Sequence, residues 1–583
     1  MRPGREIPPS SLTVHSGARD PHVPLAVLGL VLALALALRV WGIGYGLPWL
    51  FYFHDEPQVV LRALRFGTGD LNPHFFIWPG TLVLYLAFLA LATLFVFGRA
   101  LGWWTGKEGF AAAYFADPTA FYLLPRLQSV AFGVWTVWLA FGLGRAGWGA
   151  GVGIAAALGL AVNALSAHYA HLAHPVTAMT AFVVLGLWAA LRVATDGTWR
   201  HLALGALATG LGASCQYHAG LLAVPIGIAV LYRAFGAAGD DRLRWLIHGG
   251  AAGVLAVLVF LAVSPFVVLD HRTFRADLAW ITAKAAGGSG GGAGDLASGL
   301  VAFVRQCLVP ALGFPLLIAA AAGAAIGLAV RTRADVLVIA FTVAYLALAS
   351  RAGSLNDRYA IPLVVPALLL AARASGWALA RASASAWLAT LGVPIAILAL
   401  SAPTALQLVE TDATMTRGDT RIEALRWFEA NVPADERVLI DMSRFMNSTS
   451  PPLAENRERL TERLAEVDAG LSGAGHGAAY ADFYRYRLAH PRRPAYYLHS
   501  TGTGDTLETL GAYRDAGFRW AVVSGIAVDN AEARARAGDS TGIRYYRALQ
   551  REATQVAEFR PERWRRMGPV IRVYRFEPGG GTP

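Results

Sequence analysis

The chain has 583 residues, 55% of them hydrophobic and only 15% charged, and a mean hydropathy of +0.44. That is too little charge to cover a soluble protein of this size, so the composition indicates a polytopic α-helical membrane protein. The net charge of +11 does not point to nucleic acid: much of it lies in short loops between apolar runs, where it sets topology, and Lys107 and Lys284 are the only lysines.

Residues 1–23 form an arginine-bearing amino-terminal arm expected in the cytoplasm, and the run 24–44 after it reads as an uncleaved signal anchor. Further candidate spans follow at 121–143, 148–166, 175–193, 201–215, 217–235, 246–268, 301–330, 334–350, 358–379 and 383–407. The run 79–100 also meets the length rule, and charge decides its place. With eleven crossings and the amino terminus inside, the inner loops hold Arg145, Arg192 and Arg200, then Arg233, Arg242 and Arg244, then Arg331 and Arg333, then Arg373 and Arg381. The outer turns 167–174 and 216 then hold no Lys or Arg. A twelfth full crossing at 79–100 would reverse every later loop, so this run is expected to lie in the outer leaflet within the first outer loop, 45–120.

Chemically loaded segments therefore collect on the outer side. The first contains His54-Asp55-Glu56-Pro57, two adjacent acids beside a membrane, which are costly there unless solvated or functional. The others are the histidine-rich 168–174, the loop 270–298 with its Gly287–Gly294 tract, and 350–358 with Arg351, Asp357 and Arg358. The glycine tract lacks the lysine and helix of a phosphate-binding loop and reads as a flexible connection. Cys215 and Cys307 fall in apolar runs without disulfide or zinc spacing and read as packing residues.

Composition shifts near residue 408, marking off 24–407 as the membrane domain and 408–583 as a small outer α/β domain. In that tail, 420–431 and 507–516 read as helices, 437–441, 495–499, 520–524 and 569–576 as strands, and 543–558 as a helix. With no GxSxG, metal-ligand cluster or glycine-rich fingerprint, the tail is expected to bind or support and not to catalyse.

Taken in order, several stretches resemble the GT-C class, family 39, of polyprenyl-phosphate-sugar-dependent glycosyltransferases, which includes protein O-mannosyltransferases and lipid A aminoarabinose transferases. They are His54-Asp55-Glu56-Pro57, the run 69–80 (GDLNPHFFIWPG), Pro125-Arg126-Leu127-Gln128-Ser129, the run 264–270 (SPFVVLD) and Arg358-Tyr359-Ala360-Ile361-Pro362. The tail run 568–574 (GPVIRVY) resembles an outer domain that many members carry. The resemblance implies a GT-C fold, a membrane-associated helix in the first outer loop, and a catalytic base at Asp55 with Glu56 beside it. One departure stands out: where the family often has a serine-histidine stretch ending in aspartate, this chain has Ser166 to His174, with a histidine at the expected acid.

The chemistry implied is transfer of a hexose or pentose from a polyprenyl-phosphate donor to an acceptor hydroxyl on a protein, lipid or glycan. A carboxylate can take the hydroxyl proton, and attack opposite the phosphate inverts the anomeric carbon. Arg358, Arg126 and Arg351 at outer span ends, with Tyr359, are the candidates to hold the phosphate, since arginine keeps its charge and offers a bidentate fork. His54, His74, His171 and His174 are candidates to contact substrate. His168, His171 and His174 recur every three residues, a spacing that on one helix would align them for a divalent metal, but no metal or other cofactor is required. Trp78, Trp103 and Trp104 read as interface aromatics. The alternative function is a transporter or lipid-carrier flippase, which would place ionisable groups mid-membrane; here the spans are nearly free of acids. An inactive scaffold that displays the tail is a third reading.

Overall fold

A computed structural model describes residues 25–49, 55–78, 80–286, 296–352, 355–382, 391–441, 449–469, 477–501, 510–536 and 538–576. His54 and the Gly287–Gly294 tract lie outside these residues. The chain divides into two compact units: one of residues up to Ile43 with Gln58–Ala92 and Leu124–Val409, the other of Gly44–Pro57, Thr93–Leu123 and Glu410–Pro583.

The first unit is helical, and each of the eleven expected spans has a helix in its described residues. Among the described residues, seven helices are long and apolar enough to cross a bilayer: Thr81–Ala100, Thr119–Trp148, Pro175–Asp196, Tyr217–Gly236, Asp240–Val263, Leu296–Val330 and Asp357–Ala382. Two bent pairs, Ala150–Ala161 with Ala164–Ala170 (61°) and Val393–Leu400 with Ala402–Met415 (59°), raise the number to nine. Leu25–Val40, Trp199–Cys215 and Arg333–Ala349 are shorter, at 16, 17 and 17 residues.

The breaks have local causes. Asn163 caps the second half of its bent pair by accepting from Ser166 N (3.0 Å) and donates from Nδ2 to Ala311 O (2.7 Å), the competition with helix backbone that short amides provide. The carbonyls freed at the end of the first half are met by a charge: Arg39, fully buried, donates to Leu160 O (3.0 Å) and Ala161 O (3.1 Å). Within 296–330 a π-turn at Val304–Leu308 and a left-handed Gly313 (φ 75°) ahead of Pro315 bend the run.

Ends that the charge pattern assigns to one side meet one another. Trp148, Asp335 and Arg373 come together at expected inner ends, Asp335 accepting from Trp148 Nε1 (2.8 Å) and lying 3.5 Å from Arg373 Nε. At expected outer ends Tyr169 donates to Asp357 (2.7 Å) and Cys307 to Asn356 O (3.4 Å).

The second unit is built on a five-stranded sheet of β1 (Arg437–Ile440), β2 (Tyr497–Ser500), β3 (Trp520–Ser524), β4 (Thr554–Phe559) and β5 (Ile571–Arg575), in the order β2-β1-β3-β5-β4. Strand β1 runs parallel to β2 and β3, whereas β5 is antiparallel to β3 and β4. Alternation along the strands fills two cores. Val438, Ile440, Leu498, Trp520 and Val522 face Phe428 of helix Thr420–Asn431. Leu439, Ala521 and Val523 face Tyr513, Tyr546 and Leu549 of helices Leu510–Asp515 and Thr541–Glu552. The expected helix over 543–558 is corrected: it ends at Glu552, and Thr554–Phe559 becomes an edge strand because it pairs with β5.

Asp441, fully buried just after β1, accepts from Thr501 Oγ1 (2.7 Å), Ser524 N (3.0 Å) and Tyr546 OH (3.0 Å), tying three strand ends together. Burial pushes its carboxyl up to about 6, although these three donors pull the other way. The folded state therefore holds a proton that the unfolded chain releases near pH 4, so stability from this group falls as pH rises from about 4 to about 6. A shift of this size corresponds to about 3 kcal/mol. Thermal unfolding of the tail should show about 2 kcal/mol of that loss on going from pH 4.5 to 7, and the difference should disappear in Asp441→Asn.

Candidate functional site

Asp55 and Glu56 both belong to the second unit. Helix Glu56–Phe66 begins immediately after Asp55, with Pro57 in its first turn, where proline costs no hydrogen bond. The acids are 8% and 2% exposed. Two carboxylates thus sit at a helix amino terminus, the end that favours negative charge, shielded from bulk water.

In the first unit the run 70–78 is bracketed against the chain that follows the seventh span. Asn72 Nδ2 donates to Asp270 Oδ2 (2.8 Å), Phe76 N to Asp277 Oδ2 (2.6 Å) and Tyr217 OH to Phe76 O (2.9 Å). Arg62 adds a bond from Nε to Pro73 O (3.2 Å) and lies 4.3 Å over the Phe75 ring. Burial and the neighbouring Arg65 push the Arg62 guanidinium down to about 10, so it stays charged at neutral pH. His74, at a left-handed φ of 47°, has Nε2 3.0 Å from Asp70 and Nδ1 3.4 Å from Asp270. Burial works to raise those two carboxyls, but the Asn72 and His74 contacts outweigh it and hold both below the usual range. Both ring nitrogens of His74 thus face acids of the protein itself.

The second gathering in this unit surrounds Arg358. The turn Asp357–Ala360 opens the tenth span with Asn356 as its cap, Oδ1 accepting from Arg358 N (3.3 Å). Arg358 is half-buried, its guanidinium 5.9 Å from the Tyr359 ring centre. His218 lies with its ring 6.1 Å from both Tyr345 and Tyr359, and its buried Nδ1 has no hydrogen-bond partner among the described residues. Sequence reading passed over His218 because it opens an apolar run and belongs to no recognisable motif.

Other candidates have structural work. Arg126 is 1% exposed and donates from NH1 to Ile43 O (2.7 Å), holding the end of the first span. His171 contacts Leu38 O through Nε2 (3.1 Å), and burial together with nearby His168 pushes it down to about 3. His174 caps helix Pro175–Asp196, Nδ1 accepting from Val176 N (3.1 Å), and packs beside Trp78. The three-residue histidine spacing does not make one helical face, because the helix ends at Ala170. Arg351 is exposed at the end of Arg333–Ala349. Among the described residues no group of three His, Cys, Asp or Glu side chains is arranged to hold a metal.

Residues 124–269 match the family model described as dolichyl-phosphate-mannose-protein mannosyltransferase. The matched segment runs from the second span to the end of the seventh. It includes Pro125–Ser129 and Ser264–Leu269; the runs at 54–57, 69–80 and 358–362 lie outside it. No curated protein matches the chain. Among solved structures, the chain is similar to ArnT from Cupriavidus metallidurans in the apo state, at 12% identity and a TM-score of 0.46 over 94% of this chain and 98% of that one. It is also similar to the Archaeoglobus fulgidus oligosaccharyltransferase in complex with zinc and sulfate, at 14% identity and 0.44 over 89% and 71%. A mycobacterial arabinofuranosyltransferase, AftD, gives 14% identity and 0.40 over 95% and 42%. Likeness at this level carries no functional argument.

The bracket is open to a direct check. Asp277→Ala removes the acceptor of the buried Phe76 N–H, and an unmet buried donor costs about 1–3 kcal/mol. Amide hydrogen exchange across 70–78 should accelerate by about tenfold or more, with the tail sheet unchanged.

Proposed function

We propose that this chain is an inverting membrane glycosyltransferase that moves a sugar from a polyprenyl-phosphate donor to an acceptor hydroxyl. The family match over 124–269 carries this reading, and the shielded acid pair at 55–56 supplies the group the chemistry needs. Asp55 accepts the proton of the acceptor hydroxyl as its oxygen bonds to the anomeric carbon. The bond from that carbon to the phosphate breaks with its electron pair leaving on the phosphate, and Arg358 stabilises that charge with a group that cannot lose its own. Glu56 stands beside Asp55 at the start of the same helix and lines the position of the acceptor hydroxyl. Tyr359, beside Arg358, and His218 complete the surroundings of the phosphate.

The active site and the tail are assigned to the extracytoplasmic face. The arginine distribution over the loops supports this. Helix Thr81–Ala100 fits as a helix along that face: Gly80 N, just before it, bonds to Cys215 O at an expected outer end (3.1 Å). In the second unit Phe95 meets Phe110 edge to face, and Phe110 lies tilted against Phe121 at the expected outer start of the second span.

With purified protein in lipid nanodiscs, transfer of labelled sugar from polyprenyl phosphate should fall by about 10²- to 10⁴-fold in Asp55→Asn while donor binding persists. Transfer at the wild-type rate would overturn the assignment of the base. Topology has its own readout. A cysteine introduced at the exposed Thr68 should react with an impermeant maleimide in intact cells, and one at the exposed Arg200 should not; the reverse pattern would place the site on the other face.

A further inference from the structure

We infer that the tail domain positions the segment carrying Asp55, through a buried clamp formed by Tyr45, Asp419 and Arg421. This inference rests on the assignment of Asp55 as the base. Tyr45 OH donates to Asp419 Oδ2 (2.7 Å) and accepts from Arg421 NH2 (3.1 Å). Arg421 grips the same carboxylate through Nε (2.8 Å) and NH2 (2.6 Å), and its backbone N–H adds a third bond (2.8 Å). Asp419 and Arg421 are each about one-twentieth exposed. An ion pair so far removed from water is costly unless every lone pair and proton is met. The phenol of Tyr45 meets one on each partner.

The clamp is also locked from the tail side. Asp419 bridges Met567, Thr420 Oγ1 donates to Pro569 O (2.7 Å), and Gly568 (φ 104°) lies where a Cβ would strike Thr420. Four residues beyond Tyr45, Trp49 packs on the core of the tail sheet and carries the Arg492 guanidinium 5.0 Å above its ring. The later part of the first outer loop is joined to the tail too, with Phe115 against Phe483 and Tyr486 and its carbonyl accepting from Arg487 NH2 (3.1 Å). The segment Gly44–Pro57, with Asp55 inside it, belongs to one compact unit with the tail. The sheet thus serves as the foundation of the loop that carries the base, and Tyr45 is a positioning residue ten positions before it.

Tyr45→Phe tests this, because it deletes one hydroxyl and leaves the Asp419–Arg421 pair and the tail fold in place. Two measurements are made on the full-length protein in nanodiscs. Hydrogen exchange should quicken across 44–57 and stay unchanged in the tail strands. The kcat for sugar transfer should fall by about ten- to a hundredfold with the donor KM unchanged, as for a misplaced base. Tyr45→Trp, which keeps the bulk without the phenol, should behave like Tyr45→Phe. Exchange and kcat both at wild-type values would overturn the clamp, and so would a rise in KM alone. If Asp55→Asn transfers sugar normally but Tyr45→Phe still loosens 44–57, the base assignment fails and the clamp stands.

Discussion

Burying charge in an apolar phase costs several kcal/mol per ion unless the charge is met by partners, and that constraint organises the chain. Arg39 is the clearest case. It lies in the first apolar helix with no accessible surface, and it is tolerated because a neighbouring helix breaks and turns two unmet carbonyls toward it. The arginine satisfies the break, and the break satisfies the arginine. The same rule governs Asp335, which is buried yet caps its own helix with Thr332 and faces Trp148 and Arg373. Most of the remaining arginines of the membrane domain lie in the loops and at helix ends, where water can reach them.

Much of the fold was legible because hydropathy and turn chemistry agree. Pro175 and Gly197 delimit a helix within a few residues of the run read from the sequence, one fixing its first turn and the other its left-handed cap. The strands at 437–440 and 520–524 follow from short β-branched runs between polar turns. What escaped was tertiary in origin. Strand Thr554–Phe559 is held by pairing with β5, and nothing in its own composition separates it from the helix before it. The bend at 162–163 depends on a single polar residue, Asn163, inside an apolar run that otherwise reads as continuous.

The candidate site was legible in part for the same reason. Asp55 and Glu56 announce themselves as acids beside a membrane, and both are buried. The histidines of 168–174 looked like a ligand set by spacing alone; a helix end and a helix cap separate them. His74 is flanked by Asp70 and Asp270, from segments 200 residues apart, a pairing that no local pattern contains. His218 and the Tyr45–Asp419–Arg421 cluster were invisible for the same reason, since each depends on partners distant in sequence.

The proposed chemistry assigns the proton to one buried carboxylate, Asp55, and the departing phosphate to one guanidinium, Arg358. The most direct test is to supply the purified protein with a polyprenyl-phosphate sugar of known anomeric configuration and to read the linkage of the product by NMR. The account predicts a glycoside with the opposite configuration. A product of retained configuration, or no product from any such donor, would contradict it.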